Sequence, residues 1–246
     1  MSTLRAAARR VTNAILDRAG FELVRKAPPK LSFDAALARL RAAGDLQIGT
    51  VIDVGASNGD WSRMTLRHFP GARYLLVEAN PVHAPALERF RAEHPRVEFV
   101  LAAAGAEAGE LYFDATGDFG GVASREPTAG KCITVPVTTL DEEVRRRALP
   151  PPYFVKLDTH GFEVPILEGA RETLKQASLA MIEVYNFKLV DGCLRFHEMC
   201  AFMEERGLRT IDFCDPMHRP KDGAFWQMDM LFAPADRAAF RSNTYA

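Results

Sequence analysis

Three polar side chains in the second half of the chain have chemistry suited to proton transfer. Asp158 and His160 follow a short apolar run, Tyr153 to Leu157, and Glu183 stands near the end of another apolar run. In open α/β sheets, ligands bind beyond the carboxyl ends of the strands, where these groups are expected. A neutral histidine can accept a hydroxyl proton near neutral pH, and a carboxylate can hold its productive tautomer. We therefore predict His160 as a general base, Asp158 as a partner for it, and Glu183 as a second candidate base.

A glycine-containing turn in the first half of the chain has the spacing of a nucleotide-binding site. The β-branched run Val51 to Val54 ends at Gly55, and Gly59 follows four residues later. Glycines let the backbone approach a ligand where a Cβ would collide. The spacing is Gly-x-x-x-Gly, not the Gly-x-Gly-x-x-Gly of dinucleotide folds, and acidic Asp53 stands just before the turn. This pattern favours a ligand that lacks phosphate and carries a cationic amino acid end, such as S-adenosylmethionine.

Further residues predict how such a ligand is held. Glu78 ends the run Tyr74 to Val77, 23 residues after Gly55, where a carboxylate can accept hydrogen bonds from both ribose hydroxyls. The small residues 102–105 leave room for the flat adenine ring, although tight helix–sheet packing would explain them equally well. Asp158 can alternatively hold the amino acid end. The predicted cofactor-binding residues are Asp53, Gly55, Ala56, Asn58, Gly59, Glu78, Ala79, Asn80, Ala103, Ala104 and Asp158.

The elements that must position these groups follow from apolar periodicity. Strands are predicted over residues 51–54, 74–77, 96–101, 153–158, 179–184, 208–214 and 225–232, with an extra hairpin over 109–114 and 131–137. Helices are predicted over 82–93, 140–148 and 193–207, and from Asp60 as an N-cap to Phe69. The glycine-containing segment 116–125 is either a binding loop or a disordered connector. The polar segment 215–222 is long enough to overhang the cleft.

The first thirty residues differ from the rest of the chain. They carry seven basic residues against two acidic ones, a net charge of +5, and apolar residues recur at helical spacing. This segment can pack on the body or on a second subunit, lie on an anionic surface, or be a targeting peptide; we favour packing. Ser32 is predicted to cap a helix over 33–43. We divide the chain into an N-terminal helical extension, residues 1–48, and a catalytic domain, residues 49–246.

Composition excludes several classes of protein. With 48% hydrophobic and 26% charged residues and a net charge of −1, the chain of 246 residues matches an ordinary globular protein with no general attraction to nucleic acid. Four cysteines form no Cys-x-x-Cys pair, which predicts a reducing cytoplasm. No run is long enough to span a membrane. Cys193, His197 and Cys200 have helical spacing on an apolar face, so we predict core packing and no metal site.

The order of these motifs resembles the FkbM family of S-adenosylmethionine-dependent methyltransferases. The matching stretches are Val51 to Gly59, Glu78 to Pro81, Thr139 to Asp141, Val155 to Glu163, and Trp226 to Asp229. The resemblance implies a class I methyltransferase fold: a Rossmann-like, mostly parallel seven-stranded sheet with an antiparallel last strand. It also implies O-methylation of a hydroxyl on a sugar, a glycan or a natural-product small molecule.

One departure from the family pattern concerns the proposed base. Where the family has Lys-x-Asp-Val-Glu-Gly, this chain has Lys156-Leu-Asp-Thr-His-Gly161, so His160 replaces a carboxylate. Any role of that acid in the family, including metal contact, is therefore not carried over. The alternative to a catalytic His160 is a surface histidine near the start of a helix.

Two other functions compete with methyl transfer. An NAD-dependent oxidoreductase would also have a strand, a glycine turn and a distal acid, but the dinucleotide glycine pattern is missing. A nucleic-acid methyltransferase or binding protein would need a basic face with aromatic residues, whereas only residues 1–30 are basic and they contain one aromatic residue, Phe21. We therefore predict a small-molecule or glycan hydroxyl as acceptor, no nucleic-acid partner, and an oligomer through the N-terminal helices as one option.

Overall fold

The structure, a computed structural model, describes residues 30–118, 120–127 and 130–245. These residues contain eleven strands in two sheets. The strands are β1 Thr50–Val54, β2 Arg73–Glu78, β3 Val97–Leu101, β4 Ala103–Ala104, β5 Gly109–Asp114, β6 Ala123–Ser124, β7 Cys132–Thr138, β8 Tyr153–Leu157, β9 Ala177–Tyr185, β10 Leu208–His218 and β11 Phe225–Pro234. The main sheet has seven strands in the order β10-β11-β9-β8-β1-β2-β3.

The strand directions confirm the predicted fold class. β1 pairs in parallel with β2 and β8, β2 with β3, and β8 with β9. The last strand, β11, lies antiparallel between β9 and β10. Because the chain leaves β1 toward β2 on one side and returns to β8 on the other, a crevice opens at the carboxyl ends of β1 and β8.

A second, smaller sheet of four strands has the order β4-β7-β5-β6. Its centre is the predicted hairpin of β5 and β7, which pair antiparallel from Gly109 opposite Val137 to Asp114 opposite Cys132. β4 pairs in parallel with β7 and directly follows the main-sheet strand β3. The small sheet is therefore attached beside the carboxyl end of β3.

Seven α-helices connect the strands within the described ranges. They are α1 Phe33–Ala42, α2 Asp60–Leu66, α3 Ala84–Glu93, α4 Leu140–Arg146, α5 Glu163–Glu168, α6 Arg171–Lys175 and α7 Phe196–Glu204. The predicted caps Ser32 and Thr139 are confirmed, since their side chains accept hydrogen bonds from Ala35 N and Glu142 N. The prediction that Asp60 is an N-cap is wrong: Gly59 takes that position with a left-handed backbone, and Asp60 is the first helical residue.

Element ends differ from the predictions where tertiary pairing overrides the local pattern. Helix α7 begins at Phe196, so Cys193 precedes it, and His197 is exposed. Strand β10 continues to His218, four residues past its predicted end, because it pairs with β11 through register shifts. The connection between these strands is therefore only residues 219–224.

Two apolar clusters cover the two faces of the main sheet. Alternation along β1 sends Ile52 and Val54 to one cluster and Val51 to the other. Helix α1 belongs to the second cluster through Phe33 and Leu37, which are buried. Strand β1 is buried along its whole length, which explains why its sequence is mostly apolar. Asp53 is the one acid in it.

Part of the predicted N-terminal extension, from Lys30 on, lies within the described residues. The predicted helix over residues 1–30 lies outside the described residues apart from Lys30. Helix α1 is joined to β10 by a hydrogen bond from Phe33 N to Asp215 Oδ2 and by an ion pair between Arg39 and Asp212. None of the helices in the described part of the chain is long and apolar enough to cross a bilayer.

Candidate active site

A cavity of about 260 Å³ opens at the carboxyl edge of the main sheet. Its walls come from the ends of β1, β2 and β8, from the alanines around β4, and from the segment after β5. The lining residues are Val54, Gly55, Ser57, Val77, Glu78, Ala79, Asn80, His83, Ala102, Ala103, Ala104, Phe113, Asp118, Gly120, Gly121, Ala123, Asp158, Thr159, His160, Phe162, Ile166 and Glu183. The cavity brings together most, though not all, of the predicted site residues.

Glu78 is held at one end of the cavity by backbone amides. Its two oxygens accept hydrogen bonds of 2.6 Å from Ser57 N and from Asn80 N, and the residue is only 6% exposed. Burial raises the pKa of Glu78, while the two backbone hydrogen bonds act in the opposite direction. Since a carboxylate oxygen has two lone pairs, each oxygen retains one acceptor position that can receive a ligand hydroxyl.

The segment that follows β5 forms a wall of the cavity. Asn80 Nδ2 donates to Gly117 O at 3.3 Å, and His83 Nε2 lies 2.7 Å from Asp118 O and 3.3 Å from Ser57 Oγ. Gly121 leaves no room for a side chain, since a Cβ there would lie 2.3 Å from the Phe113 ring. These contacts favour the binding-loop interpretation of the segment over the disordered connector.

The predicted adenine region is an apolar part of the lining. Ala102, Ala103 and Ala104 are all buried, and the Phe113 ring and Ala123 line the same cavity. Ala103 and Ala104 form β4, whose pairing with β7 fixes their position. Small side chains on a rigid strand leave a flat apolar surface of the kind that an aromatic ring can contact.

The packing of the protein itself requires glycine at both ends of the turn. Gly55 has φ of +72°, and a Cβ there would lie 2.1 Å from Asp158 O on the neighbouring strand end. Gly59 has φ of +85°, and a Cβ there would meet the Phe90 ring at 2.9 Å. Gly55 reaches the cavity, whereas Ala56, Asn58 and Gly59 are not in its lining, where Ser57 takes their place. The side chain of Ala56 points into the core.

Asp53 is not brought to the cavity. It is fully buried, accepts a hydrogen bond of 2.7 Å from Ser62 Oγ, and lies 3.0 Å from Lys156 Nζ. Lys156 in turn donates to Gly55 O at 3.1 Å. Burial lowers the pKa of Lys156, but the charges of Asp53 and Asp158 outweigh it, so the pKa lies above its ordinary value. Asp53 is therefore not placed for the predicted contact with a cofactor. It forms a buried ion pair with Lys156, which in turn holds the carbonyl of Gly55 in the turn.

His160 lies in a tight turn after β8. Its φ is +54°, an uncommon value for a residue with a side chain, and Gly161 follows at +108°. The buried carboxylate of Glu163 holds this turn by accepting hydrogen bonds from Gly161 N at 2.9 Å and Thr159 Oγ1 at 3.1 Å. Glu163 therefore acts structurally, and the turn directs His160 toward β9.

The partner of His160 is Glu183 rather than Asp158. The Nδ1 atom of His160 lies 3.1 Å from Glu183 Oε2, 2.8 Å from Tyr185 Oη, and 3.9 Å from Asp158 Oδ1. A carboxylate only accepts hydrogen bonds, so we assign the ring proton to Nδ1, which leaves Nε2 as the basic nitrogen of the neutral ring. The hydrogen bond with Glu183 outweighs burial and raises the pKa of His160 above its ordinary value.

Glu183 is enclosed by donors that the sequence prediction missed. The residue is 8% exposed and accepts short hydrogen bonds from Tyr185 Oη and Gln227 Nε2. Tyr185 is two residues further along β9 and therefore on the same face, and Gln227 is the register partner of Tyr185 on β11. Glu183 Oε2 is engaged by both Tyr185 and His160, so this carboxylate is placed to orient His160.

A further acid lies next to this group. Asp229 on β11 is the register partner of Glu183. Burial and the charges of Glu183 and Asp158 raise the pKa of Asp229 to about 7. This part of the sheet edge therefore carries three neighbouring carboxyl groups, and the nearby Lys156 is buried and paired.

Two groups in the described part of the chain have the spacing of metal ligands. Asp158, His160 and Glu183 offer ligand atoms within 4.8 Å of one another, as do Cys214, Asp215 and Asp229. In the first group, His160 Nδ1 is already engaged by Glu183 and Tyr185. The predicted packing role of Cys200 agrees with its contacts to Met230 and Thr210, both at 3.6 Å.

Comparison with known proteins gives one family match. The profile described as the methyltransferase FkbM domain matches residues 53–210. No curated protein matches the sequence. Solved structures with a similar backbone include a proposed O-methyltransferase from Klebsiella pneumoniae, with 15% identity, 92% of this chain and 88% of that chain covered, and a TM-score of 0.49.

Two other solved structures illustrate the range of similar proteins. One is precorrin-6y C5,15-methyltransferase from Geobacter metallireducens, with 12% identity, 89% and 95% coverage, and a TM-score of 0.43. Another is a proposed RNA methyltransferase from Pyrococcus horikoshii, with 13% identity, 81% and 83% coverage, and a TM-score of 0.44. Their names refer to different acceptors, so they do not indicate the acceptor of this chain.

Proposed function

This chain belongs to the FkbM methyltransferase family, and we propose that it transfers a methyl group from S-adenosylmethionine to a hydroxyl group. The proposed acceptor is a sugar, a glycan or a natural-product small molecule. The observation that carries the proposal is the position of His160, whose Nδ1 is held by Glu183 and Tyr185 while the residue lines the cavity. This arrangement supplies a base beside a nucleoside-sized site.

The residues of the cavity fit the proposed cofactor. The free acceptor positions of Glu78 suit ribose hydroxyls, and Ala103 and Ala104 with Phe113 suit the adenine ring. Asp158 lines the opposite part of the cavity and is partly exposed, so its carboxylate is available to a cationic amino acid end. When bound, S-adenosylmethionine supplies an electrophilic methyl group; the protein aligns the acceptor with it, and alignment contributes much of the rate in such displacements.

His160 has the features that a general base for this reaction needs. A hydroxyl must lose its proton as the new bond to carbon forms, and a positioned base typically contributes about 10²- to 10⁴-fold to the rate. With the proton on Nδ1 and directed to Glu183, Nε2 can accept the hydroxyl proton. The carboxylate then stabilises the imidazolium that results.

The two competing functions are less well supported. Family membership favours methyl transfer over hydride transfer to NAD. A nucleic-acid acceptor would bring phosphates, which bind best to lysine and arginine. The edge beside His160 instead carries Asp158, Glu183 and Asp229.

The proposal is tested by binding first and by turnover second. Calorimetry with S-adenosylmethionine, S-adenosylhomocysteine and NAD should detect the first two ligands and not NAD. A screen of hydroxylated sugars, glycosides and small natural products with radiolabelled cofactor should then give an acid-stable, O-linked methyl product. Binding of NAD alone, or methylation confined to nitrogen, carbon or nucleic acid, would contradict the proposal.

A further inference from the structure

A stacked pair of aromatic rings lies just beyond the end of β9, next to the start of β11. The ring centroids of Phe187 and Trp226 are 5.2 Å apart, with an interplanar angle of 30°. Backbone pairing places them there, since Asn186 N donates to Trp226 O at 2.9 Å. Both rings are partly exposed. An exposed aromatic stack on a fixed backbone is unusual for packing alone and offers a flat surface to a ligand.

The stack adjoins the proposed base through one side chain. The Trp226 ring contacts the edge of the Tyr185 ring, at 6.0 Å and 80°, and Tyr185 Oη lies 2.8 Å from His160 Nδ1. The cavity lining includes His160 but neither ring of the stack. Phe187 follows the end of β9 and Trp226 lies at the start of β11, so the stack lies at the same edge of the sheet as His160, outside the cofactor cavity.

An arginine fixes the stack without offering a free charge. The guanidinium of Arg219 lies 4.4 Å from the centroid of the Phe187 ring and 5.8 Å from that of Trp226. With the two rings 5.2 Å apart, these distances place the guanidinium beside the pair, in contact with both rings. Asp222 neutralises it through hydrogen bonds of 3.1 Å to Nε and 2.5 Å to Nη2. The arginine therefore orders the rings and is not available to an anionic ligand.

The groups near the stack select the charge of the ligand. Asp158 lines the cavity and is partly exposed, so its carboxylate can accept hydrogen bonds from a ligand, and the charges of Asp158 and Glu183 would repel a negatively charged ligand. A ring with several hydroxyl groups has donors for Asp158 and a face of C–H groups for the aromatic rings. A simple phenol has only one such donor.

We infer that Phe187 and Trp226 form the platform that binds the acceptor, and that the acceptor is a neutral, polyhydroxylated ring such as an uncharged glycoside. This inference rests on the proposed function, because it names the part of the acceptor that lies beside the reacting hydroxyl. The platform selects for the apolar face of the ring, and the carboxylates select against uronic acids and phosphorylated sugars.

The first test follows Trp226 directly and needs no turnover. The chain has two tryptophans, so Trp61→Phe leaves Trp226 as the only one. This variant, saturated with S-adenosylhomocysteine, is titrated with methyl glycosides of glucose, galactose, mannose and rhamnose, and with methyl glucuronide and galacturonide. We expect a saturable change in Trp226 emission with at least one neutral glycoside and at least about tenfold weaker binding of the matching uronide. No response to any glycoside, or equal binding of the two classes, would overturn the inference.

The second test uses the glycoside that the enzyme methylates best. Trp226→Ala should raise its KM by at least about tenfold, since an aromatic contact and its buried area are lost, while Trp226→Phe should retain most of the affinity. Phe240→Ala is the matched control, because Arg209 also lies over that ring, at 4.7 Å, but at the start of β10. Cofactor affinity should be unchanged in all three variants. An unchanged KM in Trp226→Ala would refute the platform, whereas failure of the wild type to bind S-adenosylmethionine would refute the proposed function.

Discussion

The two halves of the carboxyl edge of the main sheet are built in different ways. Beyond β1, β2 and β3, Glu78 is held by backbone amides of nearby residues, and the alanines 102–104 form an apolar part of the surface. Beyond β8, β9 and β11, His160, Glu183 and Gln227 are held by one another's side chains. The first half has fixed hydrogen-bonding positions that suit the proposed cofactor. The second holds the proposed base in a network of side chains.

This difference determines what a mutation should do in each half. A side chain held by backbone amides has hydrogen-bond partners that do not titrate, so its loss should act mainly on binding. A side chain in a mutual network also sets the pKa and the orientation of its partners. Variants of the cofactor half should therefore change affinity, and variants of the base half should change rate and pH dependence.

The largest effect is expected from His160→Ala. Loss of the general base should slow methyl transfer by at least about tenfold, toward the 10²- to 10⁴-fold range of general-base catalysis, and leave cofactor binding nearly intact. Single-turnover rates and calorimetric titrations measure the two quantities separately. His197→Ala, an exposed histidine on α7, is the matched control. A wild-type rate in His160→Ala would remove the distinction between the two halves and make Glu183 the next candidate base.

The opposite pattern is expected from Glu78→Ala. Charge-assisted hydrogen bonds contribute about 1.5–3 kcal/mol, so affinity for S-adenosylhomocysteine should fall by roughly 10- to 150-fold. The rate at saturating cofactor should change much less. Glu110→Ala, on the exposed side of β5, controls for loss of a negative charge. Wild-type affinity in the Glu78 variant would place the ribose elsewhere, and a lower rate at saturation would show that the halves are coupled.

The sequence predicted the first half better than the second, for a physical reason. Glu78, Ala103 and Ala104 lie at or just after the ends of predicted strands. A local sequence pattern is enough to predict such positions. Gln227 reaches Glu183 through the register of β9 against β11, in which Gln227 pairs with Tyr185, 42 positions earlier in the chain. Period-two alternation placed Tyr185 on the face of Glu183, but only the pairing brings Gln227 there.

Errors in the first half also have a common cause. Asp53 and Gly59 were assigned to the ligand because acids and glycines near a turn often contact one. The structure uses Asp53 to pair with Lys156 and uses Gly59 to clear the Phe90 ring. Residue type alone does not distinguish a group that touches a ligand from one that supports the turn, because both need the same backbone shape.

The smallest expected effect, and the one most specific to the mutual network, is a shift in the pH profile of Glu183→Gln. The pKa of His160 is raised in the folded protein, and the largest cause is its hydrogen bond with Glu183. Because only the neutral ring accepts a proton, the wild-type rate should rise with pH through a pKa above the ordinary histidine value of about 6.5. Glutamine keeps the shape of the side chain but removes its charge, so the rise in rate with pH should occur at a lower pH than in the wild type. The rate on the plateau should fall by about two- to tenfold, because the hydrogen bond that orients His160 loses its charge assistance.

The same raised pKa has a consequence for stability with a defined sign. A histidine whose pKa is higher in the folded state stabilises the fold fully below its unfolded pKa, and the contribution is lost as pH rises through the folded value. Thermal melts of Glu183→Gln should therefore lose most stability, relative to wild type, on the acid side of this window. Glu163→Gln, which alters the turn without touching His160 Nδ1, should move the pH limb far less. If Glu183→Gln keeps the wild-type limb in both rate and melting, Glu183 does not set the protonation of His160, and the base half is not the network that its hydrogen bonds indicate.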